Sequence, residues 1–201
     1  NLDLTKHSES FKPDDHGFAS SVEYSRTATV TGRLKTVSGP RILHLPKKYR
    51  DIIQSRWKDD GSIVCLDYQS LEPRVLCAIS GTLPKEERDL YSFIKENLFK
   101  NYGQVERDTI KKKVLSELYG AGIDSIRQQL PNISNLEWVI NEIKLFFKVE
   151  ELKNKLIKEW DLNGRKYITN FYGRRIKTDS THTLINHYIQ STAVDVSLLG
   201  F

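Results

Sequence analysis

Apolar and polar positions change period several times along the chain, and each change marks an element. Residues 1–20 are polar and carry Pro13, Asp14, Asp15 and Gly17, which predicts an extended lead-in arm. Val22–Val30 mixes β-branched and polar residues and reads as a strand or two. Lys35–Pro40 reads as a loop and Arg41–Leu45 as a short extended piece ending at Pro46. Lys47–Trp57 has helical spacing at Tyr49, Ile52, Ile53 and Trp57. The apolar run Ile63–Leu66 reads as a buried strand ending in a carboxylate, Asp67. Ser70 offers an N-cap for a helix over Leu71–Ala78, with Pro73 in its first turn, where a missing N–H costs little.

Gly81–Pro84 breaks the pattern. Lys85–Lys100 then predicts an amphipathic helix with Leu90, Phe93, Ile94 and Leu98 on its apolar side. Gln104–Tyr119 predicts the next helix, stopped by Gly120 and Gly122, and Asp124–Leu130 a short one ending at Pro131. Ser134 or Asn135 caps a long helical region reaching about Trp160 and broken near Val149. After a turn at Asp161–Gly164, Arg165–Phe171 and Arg174–Thr178 flank Tyr172-Gly173 as a β-hairpin, and Thr181 or Thr183 caps a final helix. The order of strand, helices, hairpin and helix predicts an α+β fold with a helical insert between Gly81 and Trp160.

Composition narrows the picture modestly. A chain of 201 residues can bury a real core. Its 31 Lys and Arg against 26 Asp and Glu give a net charge of +5, which permits a nucleic-acid partner without requiring one. Cys65 and Cys77 lie in apolar segments without metal-site spacing, so they are expected to be reduced core residues in a reducing compartment. No apolar run approaches membrane-spanning length, and no signal peptide opens the chain. The lack of Met and the apolar run Val194–Phe201 at the end are those expected of a piece of a longer chain.

Two constellations carry chemistry. Asp67 at a strand tip, with Glu72 and Arg74 in the first turn of the next helix, could hold a divalent metal. On the helix Gln104–Tyr119, Arg107, Lys111 and Leu115 recur every four residues, each step advancing roughly 40° around the axis, so they form one slanting stripe. Two cations at fixed spacing suit a polyphosphate, and Arg adds bidentate geometry. An ordinary solvated basic face has the same pattern.

The segment Asp67-Tyr68-x3-Glu72-x-Arg74-Val75-Leu76 resembles motif A of family A (Pol I-like) DNA polymerases, and Arg107-x3-Lys111-x7-Tyr119-Gly120 resembles motif B. The ending Tyr119-Gly120-Ala121-Gly122 is similar to phage members. Thr31-Gly32-Arg33-Leu34 is similar to the segment upstream of motif A, Tyr172-Gly173-Arg174-Arg175 to the family's GRR hairpin, and Asn186-x3-Gln190-x-Thr192-Ala193-x-Asp195 to its Asn/Gln helix. The resemblance implies a palm with a helical fingers insert. Residues 1–30 would be a lead-in, 31–80 and 161–201 palm, and 81–160 fingers. It implies template-directed nucleotidyl transfer from dNTP to a primer 3′-OH with two Mg²⁺ ions. Asp67 and the Tyr68 backbone would be metal ligands. Arg107 and Lys111 would hold the triphosphate, Leu115 the sugar, and Tyr119 the nascent pair. Glu72 would restrict the space for a 2′-hydroxyl. Arg33, Arg74, Arg174, Arg175, Asn186 and Gln190 would face primer–template DNA. The implied setting is the cytoplasm or another reducing compartment, near the nucleoid.

Departures from the pattern are Leu115 for an aromatic, Ser191 for Gly, Pro73 for Leu, and Tyr91 for His. Phage-type RNA polymerases carry a related motif B, but Glu72, Thr31–Leu34 and Asn186–Asp195 favour the DNA branch. Two-metal chemistry needs two carboxylates holding ions about 3.5–4 Å apart. In the family the second comes from a His-Asp-Glu turn after the Asn/Gln helix, and Phe201 precedes any such turn. Asp195 matches the family's helix Asp, which is not a metal ligand, and is expected to be structural. The alternatives are a polymerase-derived nucleic-acid-binding protein without catalysis and a relative of the single-subunit RNA polymerases.

Overall fold

A computed structural model describes residues 11, 14–57, 60–84, 89–99, 106–118, 127–128 and 136–200. They divide into two units, Asn1–Asp67 and Tyr68–Phe201.

In the first unit, β1 (Glu23–Ser25) pairs antiparallel with β2 (Lys35–Ser38), placing Tyr24 opposite Thr36 and Ser25 opposite Lys35, with an irregular step between Glu23 and Tyr24. β2 occupies the stretch expected to be a loop. Its alternation is too short and polar to stand out, and it is bounded by Gly39, whose φ of 81° and approach to the Ser21 carbonyl leave no place for a Cβ. Between the strands, the Thr29 hydroxyl donates to the Arg33 carbonyl (2.8 Å) and Thr31 is buried.

Ile42–His44 and Lys47–Ile52 are short 3-10 turns, where the sequence predicts an extended piece and a longer helix. Pro40 and Pro46 fall just before these turns and confine their neighbours, which keeps both short. The largest correction concerns Ile63–Leu66. It joins neither antiparallel pair among the described residues, and Ile63, Val64 and Leu66 are 59%, 74% and 68% exposed. Cys65 is exposed with them, against its expected place in a core. Four apolar residues in a row carry no period, and hydrophobicity by itself supplies no neighbouring strand.

The second unit begins at Tyr68. Ser70 is left-handed (φ 57°) and makes no side-chain cap, contrary to its expected role, and α1 (Leu71–Ser80) follows directly. Pro73 is buried in its first turn, and Gly81 (φ 72°) ends the helix by donating its N–H to the Ala78 carbonyl. α2 (Leu90–Leu98) is shorter than predicted and is capped by Asp89, which accepts from the Ser92 N–H. α3 (Arg107–Leu118) carries the basic stripe. The predicted break near Val149 falls at left-handed Lys148, which separates α4 (Leu136–Phe146) from α5 (Val149–Leu162). The predicted hairpin is β3 (Tyr167–Thr169) against β4 (Arg175–Lys177), with Ile168 opposite Ile176 and both wholly buried. α6 (Leu184–Gly200) closes the chain. The helix predicted over Asp124–Leu130 lies mostly outside the described residues.

One continuous core holds this unit together. It is built from Leu76 and Cys77 of α1, Leu90 and Ile94 of α2, Ile110 of α3, Ile143 of α4, Leu156 of α5, the hairpin isoleucines, and Leu184, Ile189 and Ala193 of α6. Trp160 adds a polar tie from α5, donating its indole N–H to the Thr178 carbonyl (3.2 Å). Among the described residues, no helix is long and apolar enough to cross a membrane.

Candidate nucleotide and nucleic-acid site

The stripe on α3 begins with an arginine already engaged. Arg107 Nε donates to Asp89 Oδ2 (2.8 Å) and Nη2 to Asp89 Oδ1 (2.6 Å), a parallel two-bond fork. The guanidinium lies over the Tyr91 ring, 5.3 Å from its centroid. The hydrogen bonds from Arg107 hold the Asp89 carboxyl far below the usual carboxylate range, and Asp89 in turn raises the Arg107 pKa. Asp89 also accepts from Ser92 N and Oγ (both 2.8 Å) and from Gln69 Nε2 (3.2 Å). Arg74 Nε donates to the Gln69 carbonyl (3.1 Å), so the segment leading into α1 is tied to both arginines.

Tyr91 links the two halves of the pattern. Burial pushes its hydroxyl pKa up; a hydrogen bond with Ser70 and the charge of Arg107 oppose this, while Asp89 and Glu72 add to it. Arg107, at the head of α3, thus lies over the ring, while the charge of Glu72, at the head of α1, bears only weakly on its hydroxyl. Lys111 is exposed one turn beyond Arg107. The Leu115 side chain and Tyr119 lie outside the described residues.

Asp67 is exposed at the end of the first unit, and Tyr68 opens the second. The Tyr68 hydroxyl lies against Gly200, where a Cβ would strike it. Arg33 is exposed between β1 and β2. Among the described residues, no three His, Cys, Asp or Glu side chains come together as a metal site. Asp67 belongs to no such three-residue group.

At the hairpin, Arg174 is turned inward. Its Nη2 donates to Ser191 Oγ (2.7 Å) and to the Ser191 carbonyl (3.2 Å), and its Nε to Asp195 Oδ2 (3.3 Å). Asn170 Nδ2 donates to Ser191 Oγ (2.9 Å) and to Asp195, while its Oδ1 accepts from the Tyr172 and Arg174 N–H groups. This network pins the hairpin to α6 and accounts for Asp195 as a structural carboxylate. It also explains Ser191, which supplies a hydroxyl where the family pattern has glycine. Arg175, by contrast, is exposed, with its guanidinium 4.9 Å from the Tyr167 ring centroid. Asn186 and Gln190 sit half-buried one turn apart on α6. Among the described residues, the buried Asn186 Oδ1 and His187 Nδ1 have no hydrogen-bond partner.

Asp89 and Asn170 are the residues that sequence reasoning missed. Asp89-x-x-Ser92 is an N-cap pattern that a helix start placed at Lys85 hides. Asn170 before a Tyr-Gly tip is an Asx-turn signal.

No family model matches the chain. No curated protein matches it either. Among solved structures, it is similar to the POL domain of Pol1 from M. smegmatis in complex with DNA primer-template and dNTP, at 18% identity and a TM-score of 0.59. The match covers 99% of this chain and 37% of that one. The chain therefore has a polymerase-like α+β fold and spans little more than a third of the length of that polymerase chain.

Proposed function

We propose that this chain is the palm-and-fingers part of a family A, Pol I-like DNA polymerase acting on primer–template DNA and dNTP. The observation that carries the reading is the polymerase-like fold, matched over 99% of this chain, in which Arg107, heading the motif B-like helix, lies over the Tyr91 ring and is forked to Asp89. Residues 31–80 and 161–201 would be palm and 81–160 fingers.

In the reaction, the primer 3′-oxygen forms a bond to the α-phosphorus as the bond to the β-phosphate oxygen breaks. The 3′-OH proton goes to solvent and pyrophosphate leaves. Arg107 and Lys111 neutralise the phosphate charge. Leu115 and Tyr119 flank the sugar and base, and Glu72 crowds a 2′-hydroxyl. Arg33, Arg74, Arg175, Asn186 and Gln190 face the duplex, while Arg174 acts through the hairpin it anchors. The reading calls for Mg²⁺, with Asp67 and the Tyr68 backbone as ligands. Among the described residues, no three His, Cys, Asp or Glu side chains gather into a metal-binding group.

The test is primer extension by the full-length protein with Mg²⁺ and dNTPs. Asp67→Ala is expected to abolish extension, and undiminished extension by that variant sinks the assignment. Separate dNTP and rNTP reactions decide the sugar. The lack of a three-residue metal-binding group among the described residues favours one other reading, a polymerase-like nucleic-acid binder without catalysis. That protein would bind primer–template with a steep salt dependence and incorporate nothing with any metal.

A further inference from the structure

We infer that Asp89 is a specificity-determining residue of the phosphate site: its carboxylate occupies the fork of Arg107 that a phosphate would take, so only a polyanion able to displace it gains full hold of α3. This inference rests on the proposed reading of Arg107 and Lys111 as phosphate ligands.

The geometry supports exchange. A guanidinium offers the same two parallel N–H bonds to a carboxylate and to a phosphate; Arg107 Nε and Nη2 give that pair to Asp89, at 2.8 and 2.6 Å, while Nη1 makes a longer bond to exposed Asp108 Oδ1 (3.3 Å). Asp89 does not depend on Arg107 for its own place. With Arg107 gone, Oδ2 keeps the Ser92 N–H and hydroxyl (2.8 Å each), and Oδ1 keeps Gln69 Nε2 (3.2 Å). Neither oxygen is orphaned, so the swap lacks the penalty of a stranded charge. The Arg107 side chain is 42% exposed against 21% for Asp89, so the arginine is the partner that a solute can reach.

Selectivity follows from the spacing. A single phosphate competes with a carboxylate already held in position, which loses no freedom on staying. A polyphosphate adds the charge of Lys111, exposed one turn farther along α3. Asp89 therefore penalises a lone phosphate more than a chain of phosphates.

Calorimetric titration of the protein with inorganic phosphate and with tripolyphosphate, at fixed ionic strength, tests this. Asp89→Asn and Asp89→Ser both retain an N-capping side chain for α2, which protects the fold, and thermal melting verifies it. Both variants are expected to bind inorganic phosphate about tenfold more tightly, the scale of one charge-assisted fork, and tripolyphosphate by a smaller factor. Unchanged or weaker phosphate binding in both variants overturns the inference. Lys111→Gln separates the two readings. If it weakens tripolyphosphate binding while the Asp89 variants show no gain, the inference falls and the nucleotide reading stands. If it binds like wild type while the Asp89 variants gain, Asp89 does compete for the Arg107 fork, but the preference for a polyphosphate through Lys111 is overturned together with the role of Lys111 in the nucleotide reading.

Discussion

Arg107–Asp89 and Arg174–Asp195 are both arginine–aspartate pairs joining separate elements of the second unit. The first has the better geometry, two short parallel bonds, yet its arginine side chain is 42% exposed. The second has a longer contact, 3.3 Å, but its side chains are only 27% and 11% exposed. They also differ in what surrounds them. Asp89 keeps three donors without its arginine, whereas Arg174 and Asn170 both depend on Asp195 and Ser191. Bond length is thus a poor guide to role. Burial and the fate of the abandoned partner decide which pair holds the fold and which can open.

The strongest way to break this contrast is to remove the inner carboxylate. Asp195→Ala removes an acceptor shared by Arg174 and Asn170 in a mostly buried site and is expected to cost about 3 kcal/mol. In a thermal melt that corresponds to a fall of roughly 6–12 °C for a chain of this size. A fall as small as that of a surface substitution would show that the network is dispensable.

The outer pair is expected to show itself through pH. The Asp89 carboxyl is held below its unfolded value, so folding releases a proton in acid and stability rises with pH there. The contribution is complete above the unfolded carboxylate value of about 3.9 and is lost as pH falls through the lower folded value. Denaturant titrations between about pH 5 and 2 should therefore give a shallower acid loss for Asp89→Asn than for wild type. Parallel curves would show that the fork contributes nothing in solution. The smallest stability effect belongs to Lys111→Gln, expected within about 0.5 kcal/mol because the residue is exposed. Its effect belongs in anion binding instead.

Much of the second unit was legible because its signals are local. Pro73 and Gly81 bracket α1, the break near Val149 separates two periodic runs, and Tyr172-Gly173 marks the hairpin. The first unit was less so. Ile63–Leu66 is apolar enough to suggest burial, but a strand is defined by its neighbour, and no local pattern names one. At the candidate site, Arg107 and Lys111 stood out as charges at helical spacing, and Glu72 through its place after Asp67 at the head of the next helix. What Arg107 touches did not, because Asp89 is eighteen residues away on another element. The inward turn of Arg174 was hidden for the same reason, since Ser191 and Asp195 reach it only through the packing of α6 on the hairpin.

The chain's two cysteines have opposite surroundings, and this gives an experimental handle. Cys77 is wholly buried, and burial pushes its thiol up to about 11, so it holds almost no thiolate at neutral pH. Cys65 is exposed two residues before Asp67. A maleimide dye added to the folded protein would therefore attach at a single position, beside the carboxylate on which the proposed chemistry turns, without any engineered residue.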